Sequence, residues 1–127
     1  MLSLLSQSKF PQQRIIRNKK MSEIIELTQD QFKTLVADET RPVLVDFWSP
    51  TCGPCRLLAP VVALLAKENE GKAVVMKCNV FENMELAASL NISAVPTIIL
   101  FKNKEIVARL TGVQKQSKLQ ELIDANL

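Results

Sequence analysis

Cys52 and Cys55 stand three residues apart in the stretch Ser49-Pro50-Thr51-Cys52-Gly53-Pro54-Cys55. Two thiols at that spacing suit three chemistries: a metal clip, a structural staple or a redox couple. A zinc site needs about four Cys or His ligands. The chain has three cysteines and no histidine, so zinc would need Cys78 together with a second chain or unusual ligands. The missing histidine also removes Cys-His and Ser-His catalytic pairs. A disulfide closing so small a loop constrains the unfolded chain little, which makes a poor staple. A working dithiol/disulfide couple with no metal is the best fit.

The neighbouring residues fit the same chemistry. The apolar run Val43–Trp48 predicts a strand, and Cys52 falls where that strand gives way to a helix. Free N–H groups and the positive dipole end of a first helical turn favour a thiolate there. Pro54 suits that turn because its absent N–H would be unpaired anyway. Gly53 leaves room for the backbone of a partner. Asp46 is the anomaly, an acid inside the apolar run. Burial would raise its pKa toward neutrality, and such a group can take the proton from Cys55. The alternative is an acid at a solvated strand edge.

The elements that position these residues alternate. Ile24–Leu27 is a short strand candidate. Thr28 and Gln31 form a capping box ahead of Phe32, Leu35 and Val36 at helical spacing. Pro42 leads into the strand Val43–Trp48. Gly53–Asn69 reads as a helix with Leu57, Leu58, Val61, Leu64 and Leu65 on its apolar face and a kink at Pro60. A strand over Ala73–Val80 and a short helix over Met84–Leu90, ending near Asn91, follow. Thr97–Phe101 and Glu105–Leu110 are too close for a crossover and form an antiparallel hairpin. Leu119, Leu122 and Ile123 mark a final amphipathic helix. The order predicts an α/β fold, a central mixed β-sheet flanked by helices on both faces.

Composition narrows the partners. The 127 residues are 47% hydrophobic and 23% charged, ordinary for one globular domain. No apolar run approaches the ~20 residues of a membrane span. The basic balance comes from residues 1–20, which carry Lys9, Arg14, Arg17, Lys19 and Lys20 and no acid. All 13 acids lie beyond them, which argues against a nucleic-acid surface on the body. Residues 1–20 read as a flexible basic extension, a targeting segment or a start assigned too early, and residues 21–127 as the domain.

The stretches "VDFWSPTCGPCRLLAP", "SAVPTIILFKNKE" and "GVQKQSKLQELIDANL" resemble the thioredoxin family, over residues 22–127. The resemblance implies a thioredoxin fold and a protein-disulfide reductase, with Cys52 attacking, Cys55 resolving and Asp46 as the buried acid. It makes Pro96 the family's cis-proline facing the disulfide, with Val95 pairing to an extended substrate. Thr51, Gly53, Pro54 and Gly112 then complete the substrate surface, and Trp48 supports the site. Lys77 is either the lysine near the buried acid or a plain surface lysine. The resemblance implies no bound cofactor; electrons come from NADPH through a separate thioredoxin reductase to disulfide-containing proteins. It implies a monomer serving electron transport and cell redox homeostasis in the cytoplasm, or in the mitochondrial matrix if residues 1–20 are a presequence. The alternatives are a disulfide isomerase or oxidant and a thioredoxin-fold binding module.

The sequence departs from the family in three places. Thr51 stands where the family usually has tryptophan, which predicts altered partner affinity and leaves Trp48 as the single tryptophan. Asn103-Lys104 replaces an Asn-Gly turn. Cys78 replaces an aliphatic residue and, sharing a face with Met76 and Val80, is either a small core hydrophobe or a reactive thiol.

Overall fold

The structure, a computed structural model, describes residues 24–127. The expectations for residues 1–20 and the domain start at Met21 lie outside the described residues. The elements run α1 (Gln29–Asp38), β1 (Val43–Trp48), α2 (Gly53–Glu68), β2 (Val74–Asn79), α3 (Met84–Ser89), β3 (Thr97–Lys102), β4 (Glu105–Thr111) and α4 (Gln116–Asp124). The sheet order is β2-β1-β3-β4. β1 and β2 are parallel, joined by the α2 crossover, while β3 runs antiparallel to β1 and to β4. The mixed sheet with helices on both faces follows the sequence reading.

Two details differ. Ile24–Leu27 is not a full strand; it meets β2 through one parallel bridge, Glu26 to Lys77. The Leu27 N–H donates to the Lys77 carbonyl (2.7 Å) and the Lys77 N–H to the Ile25 carbonyl (3.2 Å). The capping box also fails to form, for Thr28 makes no side-chain cap. Its place is taken across the fold. The Gln29 N–H donates to Asn83 Oδ1 (2.8 Å), and Gln29 Oε1 accepts from the Leu86 N–H (3.3 Å). Each amide thus satisfies the first turn of the other's helix, a contact between distant residues that local spacing cannot reveal.

Strand alternation divides the core. Leu44, Ile98 and Leu100 face α2 and α4, where they meet Leu58, Val62, Leu65, Leu119 and Ile123. Val43, Val45, Phe47, Met76, Cys78, Ile99 and Phe101 face the other way, toward Leu27, Leu86 and the half-buried Phe32, Leu35 and Val36 of α1. Helix α2 packs on Leu58, Val62, Ala63, Leu65 and Ala66, so the apolar face is turned from the expected one: Leu57 is 68% exposed. The helix continues through Pro60. At its end Asn69, fully buried, donates to the Leu65 carbonyl (2.8 Å) and to Gln120 Oε1 (2.7 Å), and accepts from Gln120 Nε2 (2.9 Å). That pair ties α2 to α4 and so fixes the helix that carries both active cysteines.

Candidate active site

Cys52 is the N-cap of α2 and Cys55 lies in its first turn, and the two are joined in a disulfide. The Cys55 N–H donates to Cys52 Sγ (3.1 Å), which is the ordinary N-cap bond with sulfur as the acceptor. Pro54 occupies the first turn without leaving an unpaired donor. Thr51, Gly53 and Pro54 are exposed around the pair, and a Cβ built on Gly53 would meet nothing within 4 Å. The pair therefore sits at a surface that a macromolecule can reach.

The loop before β3 closes one side. The Val95–Pro96 peptide is cis, and the Val95 carbonyl oxygen is 3.6 Å from Cys52 Sγ. The Gly112 N–H donates to the Pro96 carbonyl (2.9 Å), and Thr97 Oγ1 donates to the Ala94 carbonyl (2.6 Å). Gly112 has a φ of 92°, a backbone state that side chains disfavour. Among the described residues the Val95 N–H takes no backbone partner and its carbonyl faces Cys52 Sγ, so the Val95 backbone lies beside Cys52 outside the sheet ladder.

Asp46 lies beneath, in the middle of β1, only 3% exposed. Among the described residues its Oδ1 has no hydrogen-bond partner. Burial pushes its carboxyl up to about 7, against a lowering by Lys77 and a smaller raising by Glu26. Asp46 is the register partner of Lys77 across the β1–β2 ladder, and the Lys77 Nζ sits 5.4 Å from the centre of the Trp48 ring. A cleft of about 260 Å³ connects these groups, lined by Asp46, Trp48, Cys55, Arg56 and Lys77 among others. It is large enough for water to bridge Asp46 to Cys55. The arrangement can favour a thiolate at Cys52, let Cys55 pass a proton to a carboxyl that burial has made more basic, and hold an extended backbone against Val95.

All the residues singled out from the sequence gather here: Asp46, Trp48, Lys77, Thr51, Cys52, Gly53, Pro54 and Cys55 on one side, with Val95, Pro96 and Gly112 on the other. Glu26 was missed. Its signal was an acid between Ile25 and Leu27, but its neighbour Lys77 is set by sheet register and not by sequence distance. Cys78 is buried on the opposite face of the sheet, among Met76, Phe47 and Leu86. It cannot reach the active pair. Burial, with a contribution from Glu26, pushes its thiol up to about 12. Among the described residues no cluster of His, Cys, Asp or Glu could hold a metal ion.

The comparisons agree with this geometry. The sequence model of the thioredoxin family matches residues 23–125. Thioredoxin 1 of Nostoc sp. is 40% identical over 107 residues, covering 84% of this chain and all of the relative. Thioredoxin of Haemophilus influenzae is 36% identical over the same shares, and that of Buchnera aphidicola is 38% identical over 84% of this chain and 99% of its own. Among solved structures, chloroplastic thioredoxin z superposes with a TM-score of 0.74 at 28% identity, covering 81% of this chain and 93% of that one. A surface-poised cysteine pair on this fold and relatives matched from end to end lead to one conclusion: the chain belongs to the thioredoxin family and is a thiol-disulfide oxidoreductase working through Cys52 and Cys55.

Proposed function

We propose that the chain reduces disulfides of protein substrates, with Cys52 as the attacking sulfur. The Cys52 thiolate forms a bond to one substrate sulfur as the substrate S–S bond breaks, and the departing sulfur takes a proton. Cys55 then passes its proton to the Asp46 carboxylate and attacks Cys52 Sγ. That step forms the Cys52–Cys55 disulfide and releases the second substrate sulfur, which is protonated in turn. The substrate gains two electrons and the pair loses two. The observation that carries the reading is the Cys55 N–H aimed at Cys52 Sγ on an exposed rim, above a cleft that Cys55 shares with Asp46. Val95 and Pro96, with Thr51, Gly53, Pro54 and Gly112, form the proposed substrate surface; β-pairing to Val95 supplies backbone bonds independent of substrate sequence. Re-reduction is assigned to NADPH through a separate thioredoxin reductase, on family likeness. The proposed setting is electron transport and redox homeostasis in the cytoplasm, or in the mitochondrial matrix should residues 1–20 act as a presequence.

Insulin-disulfide reduction driven by dithiothreitol, with Cys52→Ser beside the unaltered chain, tests the reading. Rapid turnover that vanishes in the variant is expected. No turnover above the thiol background would move a binding module to first place. Thr51 is exposed beside Cys52, so Thr51→Trp should change KM for the reductase and leave kcat near its starting value. An unchanged KM would remove Thr51 from the partner surface.

A further inference from the structure

Glu26, Lys77 and Asp46 form one row across three neighbouring chain segments. Lys77 is the register partner of Asp46 in β1 and of Glu26 in the edge bridge. Register partners project from the same face, and neighbouring segments lie about 5 Å apart. The Lys77 side chain therefore leaves the sheet between two acidic residues, on the face that α2 covers. The two ends of the row differ: Asp46 is buried, while Glu26 opens to solvent on its outer side and is only partly covered. Among the described residues Lys77 closes no ion pair with either acid. Its Nζ lies over Trp48 instead, and Asp46 Oδ1 is left without a partner.

A base for a thiol must hold a proton well. An Asp46 paired closely to Lys77 would be a permanently ionised, weak base. We propose that Glu26 is a positioning residue: it shares the Lys77 ammonium with Asp46 and so leaves Asp46 basic enough to take the Cys55 proton. This rests on the reading that Asp46 serves Cys55.

The other groups around Asp46 do not perform the same task. Cys55 and Arg56 reach the cleft from α2. Ile98, the β3 register partner of Asp46, is apolar. Glu82 acts on Glu26, not among the causes at Asp46. The directions agree with the row: Lys77 lowers the Asp46 carboxyl and Glu26 raises it, while Glu26 is raised by burial and lowered by Lys77. The Trp48 indole N–H weakly favours the Glu26 carboxylate but closes no hydrogen bond.

The test follows the Asp46 carboxyl directly, by ¹³C NMR through a pH titration of the reduced full chain. The unaltered protein is compared with Glu26→Gln and Glu26→Asp. In Glu26→Gln the Asp46 midpoint should fall by about half a pH unit, the size of a unit charge withdrawn across roughly 10 Å of partly solvated space. Glu26→Asp should restore most of the shift. An Asp46 midpoint that stays in place in Glu26→Gln overturns the proposal. The pH dependence of insulin reduction, measured in parallel, separates the two readings. If the NMR midpoint falls and the kinetic limb stays, the role of Glu26 holds and the proton role of Asp46 does not.

Discussion

Asp46 shows how one residue links stability to chemistry. Its ordinary value of 3.8 is raised to about 7 by burial. Between those values the folded chain holds a proton that the unfolded chain has released. The contribution to stability is therefore complete below about pH 4 and is lost as pH rises through 7, a span of about 4 kcal/mol. Asp46→Ala removes the liability. It should raise the urea midpoint at pH 8, and the two proteins should draw together near pH 4. A less stable variant at pH 8 would mean that water in the cleft already solvates the carboxylate. Activity should move the opposite way, since Cys55 loses its proton acceptor. Cys78 makes the contrasting case. With its thiol pushed up to about 12 by burial, almost no thiolate exists at neutral pH. Reduced folded protein at pH 8 should therefore yield two fast thiols to an aromatic disulfide reagent, and the third only in denaturant. Three fast thiols would show that the α1 and α3 layer opens readily. The cysteine pair and the buried acid were legible because each residue type is chemically anomalous where it stands. Glu26 was not, because an acid within so short an apolar stretch looks like any surface residue until register places it.

Element by element, local chemistry predicted well and long-range pairing did not. The four strands of the sheet were found to within a residue at each end, because alternation and turn residues are local signals, whereas Ile24–Leu27 shrank to a single bridge. The capping box was lost to Gln29 and Asn83, which sit far apart in sequence. Leu57 was misjudged because a helix with apolar residues on more than one side leaves the choice of buried stripe to the sheet beneath. The β3–β4 turn carries its own prediction. Asn103 and Lys104 both have positive φ, 53° and 72°, as a two-residue hairpin turn of primed type requires. Asparagine tolerates that state better than lysine. Lys104→Gly should raise stability by about 1 kcal/mol, read as a higher melting temperature. A lower one would mean that the lost lysine side chain mattered more than the backbone.

At the scale of the whole molecule, the sheet has two unlike edges. β4 ends it on one side with Glu105 and Arg109 exposed, charges that discourage another strand from adding there. β2 ends it on the other, with the sequence Val74-Val75-Met76-Lys77-Cys78-Asn79. Apart from Lys77 that strand has no charge. Its cover is the four residues Ile24–Leu27, with Leu27 only 1% exposed. This short cover has a second duty besides carrying Glu26: it blocks a sticky, β-branched edge from templating aggregation. A chain begun at Thr28 should gain light-scattering mass with time at neutral pH, while one begun at Glu23 stays clear. Any shortening of this protein, by a protease or by design, must therefore stop ahead of Ile24, or the bared β2 edge becomes a seed for a polymer.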